Sequence, residues 1–274
     1  MAEIKLIATD LDGTFLAEEE TPHPENIKAL KACQEAGIKV CAVTGRNWTR
    51  TKLIYQQAGF DQFCVLNNGA VIYDAKNNEL RYRNRFEPDS IEKIVKVIES
   101  YPAADYWFTG FDYISMVYEH GAPWYTCMDE EEQKSKGVRF YENSAELVAA
   151  SKDDVARINW EVPYDELAEE ILEEMSAFTD IEIVSAEDHS LEITHKSSNK
   201  SEGLMVLADI YGVHPENILA MGDSYNDMLM LAWAGTGVAM GNADQRLKDM
   251  ADYVTDVNTE AGAAKAMYEI ALKR

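Results

Sequence analysis

Ile4-Lys5-Leu6-Ile7-Ala8-Thr9-Asp10-Leu11-Asp12-Gly13-Thr14 is the stretch on which the reading of the fold turns. Residues 4–9 form a short, mostly apolar run that reads as a buried strand. Two carboxylates, Asp10 and Asp12, stand just past it, where unused charge is expensive. Gly13 lets the chain turn sharply and lets backbone N–H groups approach a ligand. A strand followed by an Asp-Gly turn is common in α/β proteins, but turn chemistry accounts for only one of the two carboxylates.

Working outward, the N-terminal stretch alternates strand and helix signals. A helix is expected near 25–36, behind Pro24 and before Gly37, then a strand over 39–43. Residues 47–58 read as a helix, 63–66 as a strand, and 71–73 with 80–83 as a hairpin. The C-terminal stretch has the same grammar. Asn199 and Glu202 stand like a capping pair before a helix that Gly212 ends. Strands at 218–221, 236–240 and 253–255 alternate with helices at 226–234, 244–250 and 262–272. Alternating elements predict an α/β fold: a parallel sheet with helices on both faces.

The middle differs. Ile91, Ile94, Val95 and Ile98 mark one amphipathic helix, and Leu167, Ile171, Met175 and Phe178 another. Strand-like pieces at 114–118, 155–162 and 181–185 lie around them. The pattern predicts an inserted α+β domain over 84–190 with its own antiparallel sheet, leaving 1–83 and 191–274 as a discontinuous core. The insert's aromatics, among them Tyr106, Trp107, Phe108, Tyr113, Trp124 and Tyr125, are expected first in its core.

Three polar motifs follow three apolar strands: Asp10 after 4–9, Thr44-Gly45-Arg46 after 39–43, and Gly222-Asp223-Ser224-Tyr225-Asn226-Asp227 after 218–221. In an open parallel sheet, strand C-termini share one edge, and ligands bind there. The three motifs are therefore expected to meet. Asp10 and Asp223, with Asp227 as a third candidate, suit Mg²⁺, which prefers hard oxygen ligands. Thr44 offers a hydroxyl, and Gly45 and Arg46 offer backbone N–H groups, to phosphate oxygens. Lys200, near a helix start, offers a cation.

Composition narrows the partners. The formal net charge of -24 disfavours nucleic acids and anionic membranes. An anionic substrate would then need a metal and a few placed cations. No apolar run approaches the roughly 20 residues of a membrane span, and no signal peptide is evident. Cys33, Cys41, Cys64 and Cys127 form no CxxC pair, which points to a reduced, cytoplasmic setting.

Together these motifs resemble the haloacid dehalogenase-like superfamily, in its Cof-type, class IIB branch of sugar-phosphate phosphatases. Motif I is matched by Asp10, Asp12, Gly13 and Thr14, and motif II by Thr44 with Gly45 and Arg46. Motif III is matched by Lys200, and motif IV by Gly222, Asp223, Asn226 and Asp227. Asn67-Asn68-Gly69-Ala70 resembles the family's NGA segment. Two departures stand out: Ser201-Glu202-Gly203 follows Lys200 where the family has an immediate glycine, and the tail reads Glu260-Ala261-Gly262-Ala263-Ala264.

The resemblance implies a Rossmann-like parallel-sheet core with an inserted α+β cap of the C2 type. It implies a Mg²⁺-dependent phosphatase of small phosphorylated metabolites. Asp10 is then the nucleophile and Asp12 the general acid/base. Asp10, the backbone carbonyl of Asp12, and Asp223 are the metal ligands. Thr44, Gly45, Lys200 and Asn226 hold phosphate, and Asp227 orients Lys200 or metal-bound waters. Sugar phosphates lead as substrates, ahead of flavin mononucleotide and pyridoxal phosphate. A dehalogenase has no need of Asp12. A phosphomutase stays open. A silent phospho-ligand sensor would be expected to lack Asp10 or Asp12. Oligomeric state is not readable from the sequence.

Overall fold

The computed structural model describes residues 3–273 apart from 19, 102–104, 122, 163–164 and 187–189. The chain divides into two compact units. One comprises Met1–Arg46, Arg50–Arg83 and Asn199–Arg274; the other comprises Asn47–Thr49 and Asn84–Ser198.

The first unit opens with β1 (Leu6–Thr9), buried along its whole length. A tight turn over residues 11–15 leads into a small antiparallel pair, β2 (Leu16–Glu18) and β3 (Thr21–Pro22). Helix α1 (Pro24–Glu35) starts on a proline, with His23 Nδ1 accepting from the Glu25 N–H, and buries Ala29, Leu30 and Cys33. Strand β4 (Lys39–Ala42), helix α2 (Trp48–Ala58) and β5 (Phe63–Leu66) follow. Then β6 (Val71–Asp74) and β7 (Glu79–Arg83) complete an antiparallel sheet with β5.

The second unit contains α3 (Pro88–Ser100), β8 (Asp105–Thr109), β9 (Ile114–Val117), α4 (Pro123–Thr126) and α5 (Glu130–Ser135). It continues with β10 (Val138–Tyr141), α6 (Ser144–Ser151), β11 (Arg157–Glu161), α7 (Asp165–Met175), β12 (Ile181–Ala186) and β13 (Ser190–His195). Its sheet runs β10-β9-β8-β11-β13-β12. Alternation along the strands sends Tyr106, Phe108, Ile158, Trp160, Leu191 and Ile193 to one face. There they pack with Ile91, Ile94, Val95 and Ile98 of α3, Leu147 and Val148 of α6, and Ile171 and Met175 of α7. The opposite face carries Trp107, Thr109, Arg157, Asn159 and Glu192. Trp107 meets Tyr125 edge-on, with ring centroids 6.0 Å apart. The expected aromatic core is therefore present at Tyr106, Trp107, Phe108 and Tyr113. The side chains of Trp124 and Leu167 lie outside the described residues.

Two details differ from the sequence reading. The inserted sheet is antiparallel except at β10, which pairs parallel to β9. A parallel neighbour needs a crossover, and residues 118–137, with α4 and α5, supply one. The second boundary falls after Ser198 rather than at 190, because β13 pairs with both β11 and β12.

The chain then returns to the first unit with α8 (Lys200–Tyr211), β14 (Ile218–Gly222), α9 (Met228–Trp233), β15 (Thr236–Ala239), α10 (Gln245–Met250), β16 (Tyr253–Val254) and α11 (Gly262–Ala266). The main sheet is β16-β15-β14-β1-β4, with every pairing parallel, and a Val43–Val65 bridge ties β5 to its edge. Helix α1 packs on α11, and α8 on α9. Strands β1, β14 and β15 are buried throughout, as expected of a sheet covered on both faces. Among the described residues no helix is long and apolar enough to cross a membrane.

Candidate active site

Register brings the three strand-end motifs together. Thr9, the last residue of β1, pairs with Met221 on one side and Ala42 on the other. Asp10 therefore emerges between the segment that leads to Asp223 and the one that leads to Thr44. Its N–H donates to the Met221 carbonyl at 3.0 Å.

A buried ion cluster forms there. Lys200 is the first residue of α8, whose N-cap Asn199 accepts from the Glu202 N–H. The Lys200 ammonium lies 3.0 Å from Asp10 Oδ1 and 2.7 Å from Asp227 Oδ1, and it donates to Asn226 Oδ1 at 3.2 Å. Lys200 is only 1% exposed and Asp227 fully buried. Asp227 Oδ2 accepts from the Asp223 and Ser224 N–H groups, so one carboxylate fixes both Lys200 and the turn carrying Asp223. That turn needs Gly222: a Cβ there would lie 2.3 Å from Asp227 Cγ. Asp223 Oδ1 accepts from the Thr14 hydroxyl at 2.8 Å. Gly13 has φ +65°, and a Cβ there would lie 2.2 Å from Asp223 Oδ2. The glycine in the opening stretch is thus required for backbone conformation and for clearance.

Carboxylate oxygens of Asp10, Asp223 and Asp227 lie within 4.8 Å of one another. Burial lifts the Asp10 carboxyl well above the usual carboxylate range; Lys200 opposes this, while Asp227 and Asp223 add to it. Burial likewise pushes Asp223 up to about 6, against the Thr14 hydrogen bond. Burial alone would depress the Lys200 ammonium, but Asp10 and Asp227 hold it above its ordinary value. Three carboxylates share one ammonium, which leaves two formal negative charges unbalanced. An all-oxygen donor set with that residual charge fits a hard divalent cation.

Thr44 is buried two residues past β4, and its Oγ1 accepts from the Arg46 N–H at 3.1 Å. The Arg46 N–H, offered in the sequence as a phosphate donor, is thus engaged by Thr44. A Cβ at Gly45 would stand 2.9 Å from Asn68 Oδ1. Asn68, itself in a left-handed conformation at φ +51°, accepts from Asn226 Nδ2 at 3.2 Å. Gly69, with φ +94°, allows this turn to meet α8: a Cβ there would fall 2.0 Å from the Asn199 carbonyl oxygen. A Cβ on Gly203 would fall 2.7 Å from Gly69 Cα. Gly203, the displaced glycine after Lys200, therefore faces the NNGA turn.

Asp12 stands apart from the carboxylate cluster. Its side chain is 55% exposed and takes a two-pronged pair from Arg46, Nε to Oδ2 at 2.8 Å and Nη2 to Oδ1 at 2.5 Å. The sequence reading used only the Arg46 backbone and passed over this guanidinium. It also passed over Asn68 as the brace of Asn226. An asparagine pair before a glycine was the available signal for a left-handed turn. A separate cavity of about 560 Å³ lies at the opposite end of the sheet, lined by Lys5, Ile38, Lys39, Tyr211 and Leu272 among others. None of the carboxylates above line it, and in parallel sheets ligands bind at the C-terminal strand ends.

The model of the haloacid dehalogenase-like hydrolase family matches residues 7–267. The chain is 30% identical over 265 residues to the 5-amino-6-(5-phospho-D-ribitylamino)uracil phosphatase YcsE of Bacillus subtilis, covering 97% of this chain and 95% of that protein. It is 28% identical over 277 residues to the pyridoxal phosphate phosphatase YbhA of Escherichia coli, covering 96% and 97% respectively. Its fold matches a haloacid dehalogenase-like hydrolase from B. subtilis with a TM-score of 0.83 at 28% identity, covering 97% of this chain and 100% of that one. The matched span takes in both units and every residue of the cluster at Asp10: the chain belongs to the haloacid dehalogenase-like hydrolase family and is an enzyme of its phosphatase branch.

Proposed function

We propose that the protein is a Mg²⁺-dependent phosphatase of small phosphorylated metabolites that works through an aspartyl-phosphate. The observation that carries this reading is the buried Asp10–Lys200–Asp227 cluster beside Asp223 at the C-terminal end of β1. Asp10 attacks phosphorus as the bond to the leaving oxygen breaks. Asp12 gives that oxygen a proton, then takes one from the water that hydrolyses the aspartyl-phosphate, which restores Asp10. Lys200, the Thr44 hydroxyl and the Gly45 N–H hold the phosphoryl oxygens, with Asn226 beside Lys200. Asp227, with both oxygens already engaged, orients Lys200 and the Asp223 turn rather than binding metal. Asp10, Asp223 and the Asp12 carbonyl would hold the Mg²⁺, which when bound offsets phosphate charge against the carboxylates.

The second unit reads the leaving group in this proposal. In chain order it lies between Gly45 and Lys200, and its sheet turns a polar row, Thr109, Arg157, Asn159 and Glu192, away from its own apolar core. Sugar and sugar-alcohol phosphates are the first substrate class, and phosphorylated vitamins and their precursors the second. Relatives acting on a phosphoribityl compound and on pyridoxal phosphate support that pair. The test is phosphate release from a panel of such esters with and without Mg²⁺, using Asp10→Asn as control. Metal-dependent release that Asp10→Asn abolishes supports the proposal; equal release by the variant overturns it.

A further inference from the structure

We infer that Arg46 is a positioning residue for Asp12, fixing the carboxyl group that moves the proton. This rests on the proposed role of Asp12 in proton transfer. The two partners are unequal in a telling way. The Asp12 side chain is 55% exposed, whereas the Arg46 side chain is 4% exposed. Ordinary surface pairs here, such as Lys28–Glu25 at 67% and 49%, are exposed on both sides. Such pairs contribute little. Burying a guanidinium is costly without a partner, so this arginine is placed rather than incidental.

Arg46 is also fixed independently of Asp12. Its N–H donates to Thr44 Oγ1, its carbonyl accepts from the Asn67 N–H, and Nη1 donates to the Arg50 carbonyl at 3.4 Å. A rigid planar fork therefore grips both oxygens of a half-exposed carboxylate and sets its plane. A lysine would meet it as a point charge. Asp12 must be aimed because its proton has to reach one atom. As the phosphorus–oxygen bond breaks, its electron pair goes to the leaving oxygen. That oxygen takes the Asp12 proton and departs as an alcohol, leaving Asp12 as a carboxylate beside Arg46.

The experiment uses kcat/KM, which reports phosphoryl transfer through leaving-group departure and excludes the later hydrolysis. Arg46→Gln, Arg46→Lys and Asp12→Asn are compared on dinitrophenyl, nitrophenyl, phenyl and alkyl phosphates. Inorganic phosphate serves as inhibitor to report phosphate binding. Dinitrophenolate leaves without a proton, so a misaimed acid matters little there. We expect Arg46→Gln to lose roughly 100-fold on alkyl phosphates and under about 5-fold on the dinitrophenyl ester. Phosphate inhibition should be unchanged, and Arg46→Lys should fall between. Asp12→Asn should show the same slope, and the double variant should add nothing to it. Loss that is uniform across leaving groups, with weakened phosphate inhibition, would make Arg46 a phosphate ligand and overturn the inference. No loss would reduce it to a structural pair. If Asp12→Asn itself shows no leaving-group slope, the proton-transfer reading of Asp12 is what fails. If Asp12→Asn shows the slope and Arg46→Gln and Arg46→Lys do not, only the positioning role fails. Should Arg46→Gln not fold, Arg46→Lys alone still decides, because it keeps the charge and loses the fork.

Discussion

Replacing Lys200 with Met keeps an unbranched chain of similar reach and removes only the ammonium. Asp10 and Asp227 then remain buried, with side chains 6% and 0% exposed, and lose a partner at 3.0 and 2.7 Å. Breaking a buried pair by removing one partner costs about 3–5 kcal/mol. That is a large share of the roughly 5–15 kcal/mol that holds a typical protein folded. The cost has a pH signature. Burial already holds the Asp10 carboxyl high against the opposing charge of Lys200, so losing Lys200 raises it further. A carboxyl raised in the folded state contributes stability that is present at low pH and is lost as pH rises through the folded value. The deficit of Lys200→Met should therefore be larger at pH 7 than at pH 5. Urea denaturation of metal-free protein at both pH values measures it. A deficit under about 1 kcal/mol, or one identical at the two pH values, would refute the electrostatic account of the cluster.

Asp10→Asn should fold and lose more than ~10³-fold in kcat, since an amide cannot attack phosphorus; near-normal rates from verified, non-deamidated protein would end the covalent mechanism. Exhaustive chelation should abolish activity, with Mg²⁺ restoring it best and Ca²⁺ poorly. Burial pushes Asp223 up to about 6, so the metal-free protein should lose stability as pH rises from about 4 through about 6, and added Mg²⁺ should raise Tm more at pH 7 than at pH 5; equal increments would count against Asp223 as a ligand. Substitutions at Tyr125, Arg157 or Asn159 should reorder preferences among sugar and vitamin phosphates while changing an activated aryl phosphate much less; uniform slowing would make the second unit purely structural.

Much of the core was legible because buried parallel strands are short apolar runs. Leu6–Thr9 and Ile218–Met221 declared themselves, and counting strand ends placed Asp10, Thr44 and Asp223 on one edge. Asn199 and Glu202 gave the start of α8, and with it the position of Lys200. What escaped was mostly long-range or short. The Arg46–Asp12 pair spans 34 positions and depends on how residues 11–15 turn, which no local pattern encodes. Strand β13 carries apolar residues only at alternate positions, Leu191 and Ile193, so its membership in the second sheet rested on pairing rather than on its own pattern. Residues 225–227 form a 3₁₀ turn before α9, with the Asp227 side chain accepting from the Ser224 N–H. The parallel placement of β10 beside β9 follows from a crossover of short helices that periodicity does not reveal.

The contact between Gly203 and Gly69 gives clearance a part in setting charge. Gly203 sits three residues into α8, about 4.5 Å along the axis from Lys200. A helix moves as a stiff rod, so a methyl group added at either glycine displaces the ammonium without altering any polar side chain. The ion pairs at 2.7 and 3.0 Å leave little margin, because a shift of about 1 Å takes them beyond hydrogen-bond range. A carbon atom that carries no charge can thus reset the pairing of Lys200 while Lys200, Asp10 and Asp227 themselves read as unchanged.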